Sequence, residues 1–553
     1  MKSSHFYSLT AALPLLILLI IFILPLSFTF SRAFFTQDGF SLELIRQVFT
    51  SGYTWRLLSF TLLQAGLSAL VSVLCALPGA WLCANYRFAG KNLILSLSSL
   101  CFVLPSILVV LGFVIFYGNS GFVNTLYRFI TGRDDSIKIL YSFRAIILAH
   151  AFLNIPVALT LITDAWAHYP RGQENAAFML GASRARVFFT VTLPRLRPVI
   201  LSAALLIFLF CFTSFSIILV LGGGPQYTTL EVEIYRTNNI VMDSSRAAAL
   251  SVFSFLVNLV IIVIYTLVSR KAAGREKSRD DRAVAIKTWP VRIASVLWTL
   301  LALIFILGPL ASILVRSFWS TSKRYGEGFS TRSYQEIFAL RTSVGVMSDA
   351  FSALVNSLFI GLTVAFLATV LALFLSLYVA KSGRRSAEIA GMFPLAISSV
   401  TLGLGYYIIK AQFPSSGIVT GYVLVILAHL VTALPFAMRT LVPVIRAENE
   451  RILLSAYTLG SGTARTCFSI EIPMIRGTIA RAFIFSFALS VGEVNATLTL
   501  AEGKVITLPI LLYRLINSYN YQGACAIGTV LIATTFIVFI IAGRLGRKEN
   551  GKA

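Results

Sequence analysis

One acidic residue, Glu493, lies inside a long apolar stretch that ends in SVGEVNATLTL. An ionisable residue within a membrane-spanning segment is costly and usually marks a functional site. Asn495 and Thr497 follow at spacings of two and four, so a polar patch can form whose carboxylate suits a cationic solute. A kinked, water-exposed helix end explains the same residues equally well. Ser214 and Ser216 lie 279 residues before Glu493 and Asn495. We take Glu493, Asn495 and Ser214 as candidate residues of a solute path.

Two histidines, His150 and His429, each follow Leu-Ala and could suggest a metal site. Neither has a second ligand nearby, so structural hydrogen bonding is the favoured interpretation. The six cysteines are scattered without a C-x-x-C pair, which favours buried apolar side chains. The sequence contains no Ser/His/Asp arrangement and no G-x-x-x-x-G-K-[ST] phosphate loop. We therefore expect no catalytic residue, no metal and no cofactor in this chain.

The composition predicts a membrane protein with many spans. Of 553 residues, 57% are hydrophobic and 12% are charged, and the mean hydropathy is +0.84. Such a chain has too little polar surface to cover a soluble globule. The net charge of +24 could indicate nucleic-acid binding. Its dispersal among short loops instead fits the positive-inside rule of membrane proteins. The expected partner is the lipid bilayer, with no nucleic acid.

The apolar runs predict an all-α protein with about twelve spans. A helix needs about 20 apolar residues to cross a bilayer. The run near 387–410 is interrupted by Pro394 and several glycines. The predicted spans lie near 9–31, 57–83, 93–117, 142–165, 197–221, 245–268, 292–316, 352–380, 387–410, 418–440, 479–501 and 524–543. Basic residues cluster in alternate gaps, which predicts that both termini are cytoplasmic.

The gap from Glu174 to Pro198 reads as a docking element. Its composition predicts a helix up to Leu180, a stop at Gly181 and a cap at Ser183 for a second short helix. Small residues on this short helix let a partner approach closely. The helix can then pass rigid-body motion of the partner to the flanking spans. The alternatives are an amphipathic connector on the lipid headgroups and a DNA-binding helix-turn-helix. The second fits poorly, because spans tether the element at both ends.

A weaker copy of this stretch follows 279 residues later, where Gly460 repeats Gly181 and Pro473 repeats Pro194. The register extends back to the two histidines and, at an offset of 278, forward to Tyr235 and Tyr513. Duplication therefore predicts two tandem six-helix domains. Their predicted bounds are 1–268 and 292–545, joined by a basic cytoplasmic linker at 269–291 and followed by a cytoplasmic tail at 546–553.

The first loop resembles the EAA loop in the membrane subunits of bacterial binding-protein-dependent ABC importers of the type I (MetI-like) fold. The resemblance implies that both loops dock onto ATP-hydrolysing subunits, one copy per loop. It also implies an inner-membrane location, a separate solute-binding protein and ATP bound only by the partner ATPase. The second loop departs from the pattern, since Leu453 replaces the glutamate and Gly462 the serine. The implied docking residues are Glu174, Ala176, Ala177, Gly181, Ala182, Ser183, Leu453, Ala456, Gly460 and Ser461.

The solute is indicated only by resemblance. The segments 117–121, 221–235 and 245–250 resemble the fused permeases of thiamine importers. Iron(III) importer permeases share the same organisation, and another small solute such as a phosphonate is a further alternative. A secondary transporter with twelve spans is the alternative of another class. Such carriers usually need several intramembrane charges, and that reading leaves both glycine-centred loops unexplained.

Overall fold

The computed structural model describes residues 2–36, 39–101, 104–273, 283–320, 328–338, 349–382, 388, 391–412, 417–447, 450–500 and 505–550. Helices make up most of this part of the chain. They are α1 (Lys2–Phe34), α2 (Glu43–Thr50), α3 (Gly52–Asn85), α4 (Lys91–Cys101), α5 (Ser106–Tyr117), α6 (Phe122–Thr131), α7 (Phe143–Ala167), α8 (Gly172–Met179), α9 (Arg184–Val187), α10 (Leu193–Phe212), α11 (Ser216–Leu221), α12 (Leu230–Asn239), α13 (Ser244–Ala273), α14 (Trp289–Phe318), α15 (Arg332–Phe338), α16 (Asp349–Ser382), α17 (Ser399–Gln412), α18 (Gly417–Arg446), α19 (Glu450–Thr458), α20 (Thr463–Thr466), α21 (Ile472–Met474), α22 (Arg476–Gly492), α23 (Asn495–Leu500), α24 (Leu508–Asn517) and α25 (Tyr521–Asn550).

Short non-α elements complete the described part of the fold. Two π-helical segments cover Phe188–Thr192 and Cys467–Glu471, and two 3₁₀ turns cover Pro225–Tyr227 and Phe393–Ala396. Three pairs of two-residue strands are β1 (Phe35–Thr36) with β2 (Gly39–Phe40), β3 (Tyr86–Arg87) with β4 (Val284–Ala285), and β5 (Trp319–Ser320) with β6 (Gly328–Phe329). The pair β3–β4 is parallel and the other two are antiparallel.

The described residues contain ten helical segments long and apolar enough to span a membrane, or eleven if the bent pair 463–474 and 476–492 is one span. The all-α polytopic fold is therefore confirmed. The predicted ninth span, 387–410, differs most, because its described part is a 3₁₀ turn followed by α17. The 14 residues of α17 extend only about 21 Å, against about 30 Å of hydrocarbon.

Breaks in the helices occur at related places in the two halves. Pro105 lies between α4 and α5, and Pro394 lies in the turn before α17. A proline has no N–H to donate to the preceding turn, so it favours a break in the helix at that point. A second break lies at Ser214, between α10 and α11, and at Glu493, between α22 and α23. Non-helical backbone within a membrane is tolerated where protein buries it or where it lines a cavity.

The first helix of each half packs against the other half. Helix α1 contacts α16 and α17, and α14 contacts α4 and α5. Apolar side chains of α1, among them Ala11, Leu18 and Phe22, belong to the buried core of the second half. Each half therefore buries part of its apolar surface only with the other half present. The predicted bounds 1–268 and 292–545 separate two repeats in the sequence. In the structure these repeats share a buried interface, because each contributes its first helix to the other.

Contacts join some of the gaps that are predicted to be cytoplasmic. Strand β4, at the end of the predicted linker, pairs with β3 in the gap before α4. Tyr7, near the N-terminus, donates to Glu471 of the second loop, and Glu471 forms an ion pair with Lys381 at the end of α16. Linker residues 274–282 and tail residues 551–553 lie outside the described part of the chain.

Candidate functional site

The first loop, residues 174–198, has the local structure that its sequence predicts. Helix α8 ends before Gly181, whose φ of 81° lies in the left-handed region that favours glycine. The N–H of Gly181 donates to the carbonyl of Phe178, and the N–H of Ala182 donates to that of Ala177, at 2.9 and 3.0 Å. This is a Schellman motif, which satisfies the last carbonyls of a helix. Ser183 then caps α9 by accepting from the N–H of Arg186 at 3.3 Å.

The second loop, residues 453–477, repeats this structure. Gly460 has a φ of 83° and donates to the carbonyl of Tyr457, while Ser461 donates to that of Ala456, both at 3.0 Å. These four residues correspond one by one to those of the first loop at the offset of 279. Gly462 stands in place of Ser183 and leaves α20 without a side-chain cap. Duplication has therefore preserved the loop backbone where the side chains diverged.

The predicted docking residues differ in how far they are exposed. In the first loop Ala176, Gly181 and Ser183 are exposed, and the other three predicted residues are half-buried. In the second loop Gly460 is exposed and Ser461 half-buried. Leu453 and Ala456 are only 6% and 8% exposed, so any effect they have on a partner must pass through their neighbours. All ten assignments remain predictions.

Three apolar side chains at the tips of the loops were not among the sequence-predicted residues. Met179 and Leu180 in the first loop and Leu459 in the second are 89%, 88% and 88% exposed. Leu459 corresponds to Leu180 at the common offset. Adjacent exposed apolar side chains mark interaction surfaces more often than single ones do. Their position directly before a helix-ending glycine in a polar loop was the available sequence signal.

A carboxylate braces each loop from a different position. In the first loop the Thr192 hydroxyl donates to Glu174 at 2.8 Å. The second loop has Leu453 at the position of Glu174 and Glu471 at that of Thr192. The fully buried Glu471 accepts a hydrogen bond from the Tyr7 hydroxyl at 2.7 Å and forms an ion pair with Lys381 at 2.7 Å. The second loop is thereby tied to the first helix of the chain.

A cavity of about 310 Å³ lies between the two halves. Both proline-containing breaks and both breaks at Ser214 and Glu493 border it. All three residues predicted for a solute path, Ser214, Glu493 and Asn495, are in its wall. The volume falls at the lower end of the usual range for small-molecule sites. The structure thus brings together residues that are 279 or more positions apart in sequence.

Hydrogen bonds organise the polar part of this wall. Glu493 Oε1 accepts from the N–H groups of Asn495 and Ala496 at 2.9 and 3.1 Å. Ser216 donates to Asn495 Oδ1 at 2.6 Å, which links the two halves. The Asn495 amide and the Glu493 carboxylate are therefore held in fixed orientations beside the cavity.

Both repeated histidines are buried and hydrogen bonded through both ring nitrogens. His150 contacts the hydroxyls of Ser68 and Ser214 at 3.0 and 2.9 Å. His429 contacts those of Ser490 and Thr497 at 2.9 and 2.7 Å. The hydrogen-bonding interpretation is confirmed, although the partners are not equivalent. Within the described ranges, no group of three or more His, Cys, Asp or Glu side chains is arranged to hold a metal ion.

Comparison with known proteins agrees with this arrangement. Residues 76–274, which include the first loop, match the family "Binding-protein-dependent transport system inner membrane component". The chain is 30% identical over 508 residues to the thiamine transport system permease protein ThiP of Brucella abortus (strain 2308), covering 90% of this chain and 89% of that protein. It is 28% identical over 515 residues to the ThiP protein of Escherichia coli (strain K12), covering 90% of each.

A ferric transport system permease protein, FbpB of Actinobacillus pleuropneumoniae, is 22% identical over 541 residues, covering 96% of this chain and 77% of that protein. The matches to these three permeases each cover 90% or more of this chain and therefore extend into both halves. The chain therefore belongs to the family of multi-pass inner-membrane permeases of binding-protein-dependent ABC importers that includes the thiamine transport system permease proteins.

Proposed function

We propose that this permease carries thiamine across the inner membrane. The observation behind the choice of solute is the match to thiamine transport permeases at 30% identity over 90% of the chain. The cavity between the halves offers a carboxylate, an amide and hydroxyls to a solute. Iron(III) is the second candidate, because a ferric transport permease also matches along almost the whole chain.

The two loops are the proposed contacts for two copies of a separate ATPase subunit. Their support is the repeated Schellman motif, which presents Met179, Leu180 and Leu459 to the exterior in a chain without a phosphate-binding loop. ATP would be bound and hydrolysed by those subunits, and this chain would contribute no catalytic residue. Both termini would lie in the cytoplasm, on the side of the loops.

Coupling follows from the connections of each loop. Helix α10 continues directly from the π segment of the first loop into the cavity wall. In the second half the chain bends by 70° after α21, and α22 then leads into the cavity wall. Movement of an ATPase would therefore shift the breaks at Ser214 and Glu493 and open the cavity alternately to the two sides. A solute-binding protein on the outer side would deliver thiamine.

The test is uptake into vesicles that contain this chain, its ATPase and its solute-binding protein. We expect labelled thiamine to accumulate only with ATP, whereas ferric iron at the same concentration does not accumulate. Uptake of iron but not of thiamine would identify iron(III) as the solute instead of thiamine. Thiamine uptake without ATP, driven by an ion gradient, would instead identify a secondary transporter.

A further inference from the structure

A second carboxylate, Glu231, lies directly behind the cavity wall. It belongs to α12 in the first half and is only 1% exposed. Its Oε1 accepts from the hydroxyl of Ser254 at 3.0 Å, and its Oε2 accepts from that of Ser398 at 2.5 Å. Ser398 comes from the second half and lines the cavity. Glu231 is thus one hydroxyl group away from the space between the halves.

The two acidic residues meet neighbouring serines at one corner of the cavity. Ser398 bonds Glu231, and the next residue, Ser399, bonds Glu493. Both serines lie at the start of α17, whose N-terminal end carries a partial positive charge. The corresponding positions of the repeat are uncharged, with Ser214 at the place of Glu493 and Pro509 at that of Glu231. Negative charge is therefore concentrated at one corner.

Neither carboxylate forms an ion pair with a basic residue of the described chain. Hydroxyl and amide donors offset only part of the cost of burying an ionised carboxylate. A cation inside the cavity would offset more of that cost. The solute itself is the group that can supply this charge during transport.

Aromatic side chains form another part of the same wall. Phe210 and Phe215 come from the first half and Phe436 from the second. Ring faces attract cations and stack on flat ring systems. A cavity with a negative corner and aromatic walls is suited to a positively charged aromatic ring and poorly suited to an anion.

We propose that the cavity between the halves is a binding site for aromatic organic cations, and that Glu231, acting through Ser398, and Glu493 together set its preference for positive charge. The proposal deepens the proposed function, since the thiazolium ring of thiamine is such a cation. Glu493 lines the cavity and faces the solute. Glu231 lies behind Ser398 and is a positioning residue that adds negative charge without touching the solute.

Binding to the purified permease–ATPase complex in lipid nanodiscs, without the solute-binding protein, tests the site. The probes are 1-methylnicotinamide, an aromatic cation, and nicotinamide, its neutral counterpart. We expect the wild-type complex to bind the cation at least about tenfold more tightly. Glu493→Gln and Glu231→Gln should each reduce this preference, and the double variant should abolish it.

Glutamine keeps the size of glutamate, its amide oxygen can accept from one serine hydroxyl, and its NH2 group can donate to the oxygen of the other, so the variants should fold. Glu233→Gln is the matched control, because Glu233 lies on the same helix, pairs with Arg236 and does not line the cavity. Equal affinity of the wild type for the two probes, or an unchanged preference in the double variant, would overturn the proposal. Loss of thermal stability with the preference intact would show a structural role instead.

Thiamine uptake separates this proposal from the proposed function. Uptake by the wild type without any preference for the cationic probe would leave the thiamine function standing and reject the site. A cation preference without thiamine uptake would support the site and reject thiamine as the solute. Both results positive, with uptake reduced about tenfold or more in the double variant, would support both.

Discussion

Gly181 combines an exposed position with a backbone conformation that few other residues adopt. An added Cβ would meet nothing within 4 Å, so a side chain there projects into open space at the surface that we propose to contact the ATPase. We predict that Gly181→Asp lowers ATP-driven uptake about tenfold or more, because the carboxylate blocks close docking. The folding cost should be about 1 kcal/mol, the cost of a left-handed non-glycine residue. Uptake and the amount of inserted protein measure the two effects.

Gly132 provides the matched control for this substitution. It ends α6 with a φ of 66° and also has open space around it, but it lies outside both loops. Gly132→Asp should carry the same folding cost and leave uptake near the wild-type rate. Gly460→Asp should reduce uptake less than Gly181→Asp if the first loop is the stronger contact. Normal uptake by Gly181→Asp would contradict the docking role.

The ion pair between Lys381 and Glu471 is a residue-scale brace of the second loop. Glu471 is fully buried whereas the Lys381 side chain is 24% exposed, so removing the lysine leaves a buried carboxylate without its cation, which costs about 2 kcal/mol. We predict that Lys381→Met lowers the thermal stability of the purified permease accordingly, as measured by its unfolding temperature. Thr192→Val, which removes only a neutral donor from Glu174 in the first loop, should cost about 1 kcal/mol. Equal losses in the two variants would contradict this ranking.

At the scale of elements, prolines and glycines determine how α1 and α14, the first helices of the two halves, cross the helices of the other half. Pro25 in α1 has no N–H, so the carbonyl of Ile21 lacks its helical donor. The hydroxyl of Tyr406 in α17 donates to that carbonyl instead, as a backbone group in a membrane requires. Gly405, next to Tyr406, lets the two helix backbones approach at this point. A similar contact joins Pro309 of α14 to Gly112 of α5.

The two crossings differ in tightness, and this leads to a prediction. A Cβ on Gly405 would overlap the carbonyl oxygen of Pro25, whereas one on Gly112 would lie 3.1 Å from that of Pro309. Gly405→Ala should therefore destabilise the permease by about 2 kcal/mol and Gly112→Ala by less than about 1 kcal/mol. Unfolding temperatures of the two variants in one detergent provide the comparison. A larger loss for Gly112→Ala would be evidence against the packing of α1 on α17.

At the scale of the whole molecule, the two halves depend on each other, because the first helix of each half packs against the other half. We predict that residues 1–273 and 283–553, expressed together as separate chains, assemble and restore uptake. Either chain alone should be degraded, because α1 or α14 then exposes apolar surface that the other half normally covers. Copurification through a tag on one half measures assembly. A stable, monodisperse half expressed alone would contradict the interdependence.

The sequence alone determined the features that depend on short spacings or on composition. Hydropathy predicted the membrane class and most spans, the 279-residue offset revealed the duplication, and the loop pattern predicted the stop at Gly181 and the cap at Ser183. The stop and the cap were accessible because their hydrogen bonds join residues within five positions of each other. Pro394 also marked the interruption within 387–410, but the composition did not reveal that the helix after the 3₁₀ turn, α17, has only 14 residues.

Only the tertiary structure decided which distant residues meet. It turned Leu453 inward, joined Tyr7 to Glu471, and placed Glu231 behind Ser398 across the two halves. Glu231 gave no signal in the sequence, because it lies in a gap between spans and its contact with Ser398 joins residues 167 positions apart. Such contacts depend on how whole helices pack, and no local pattern of residue types encodes that packing.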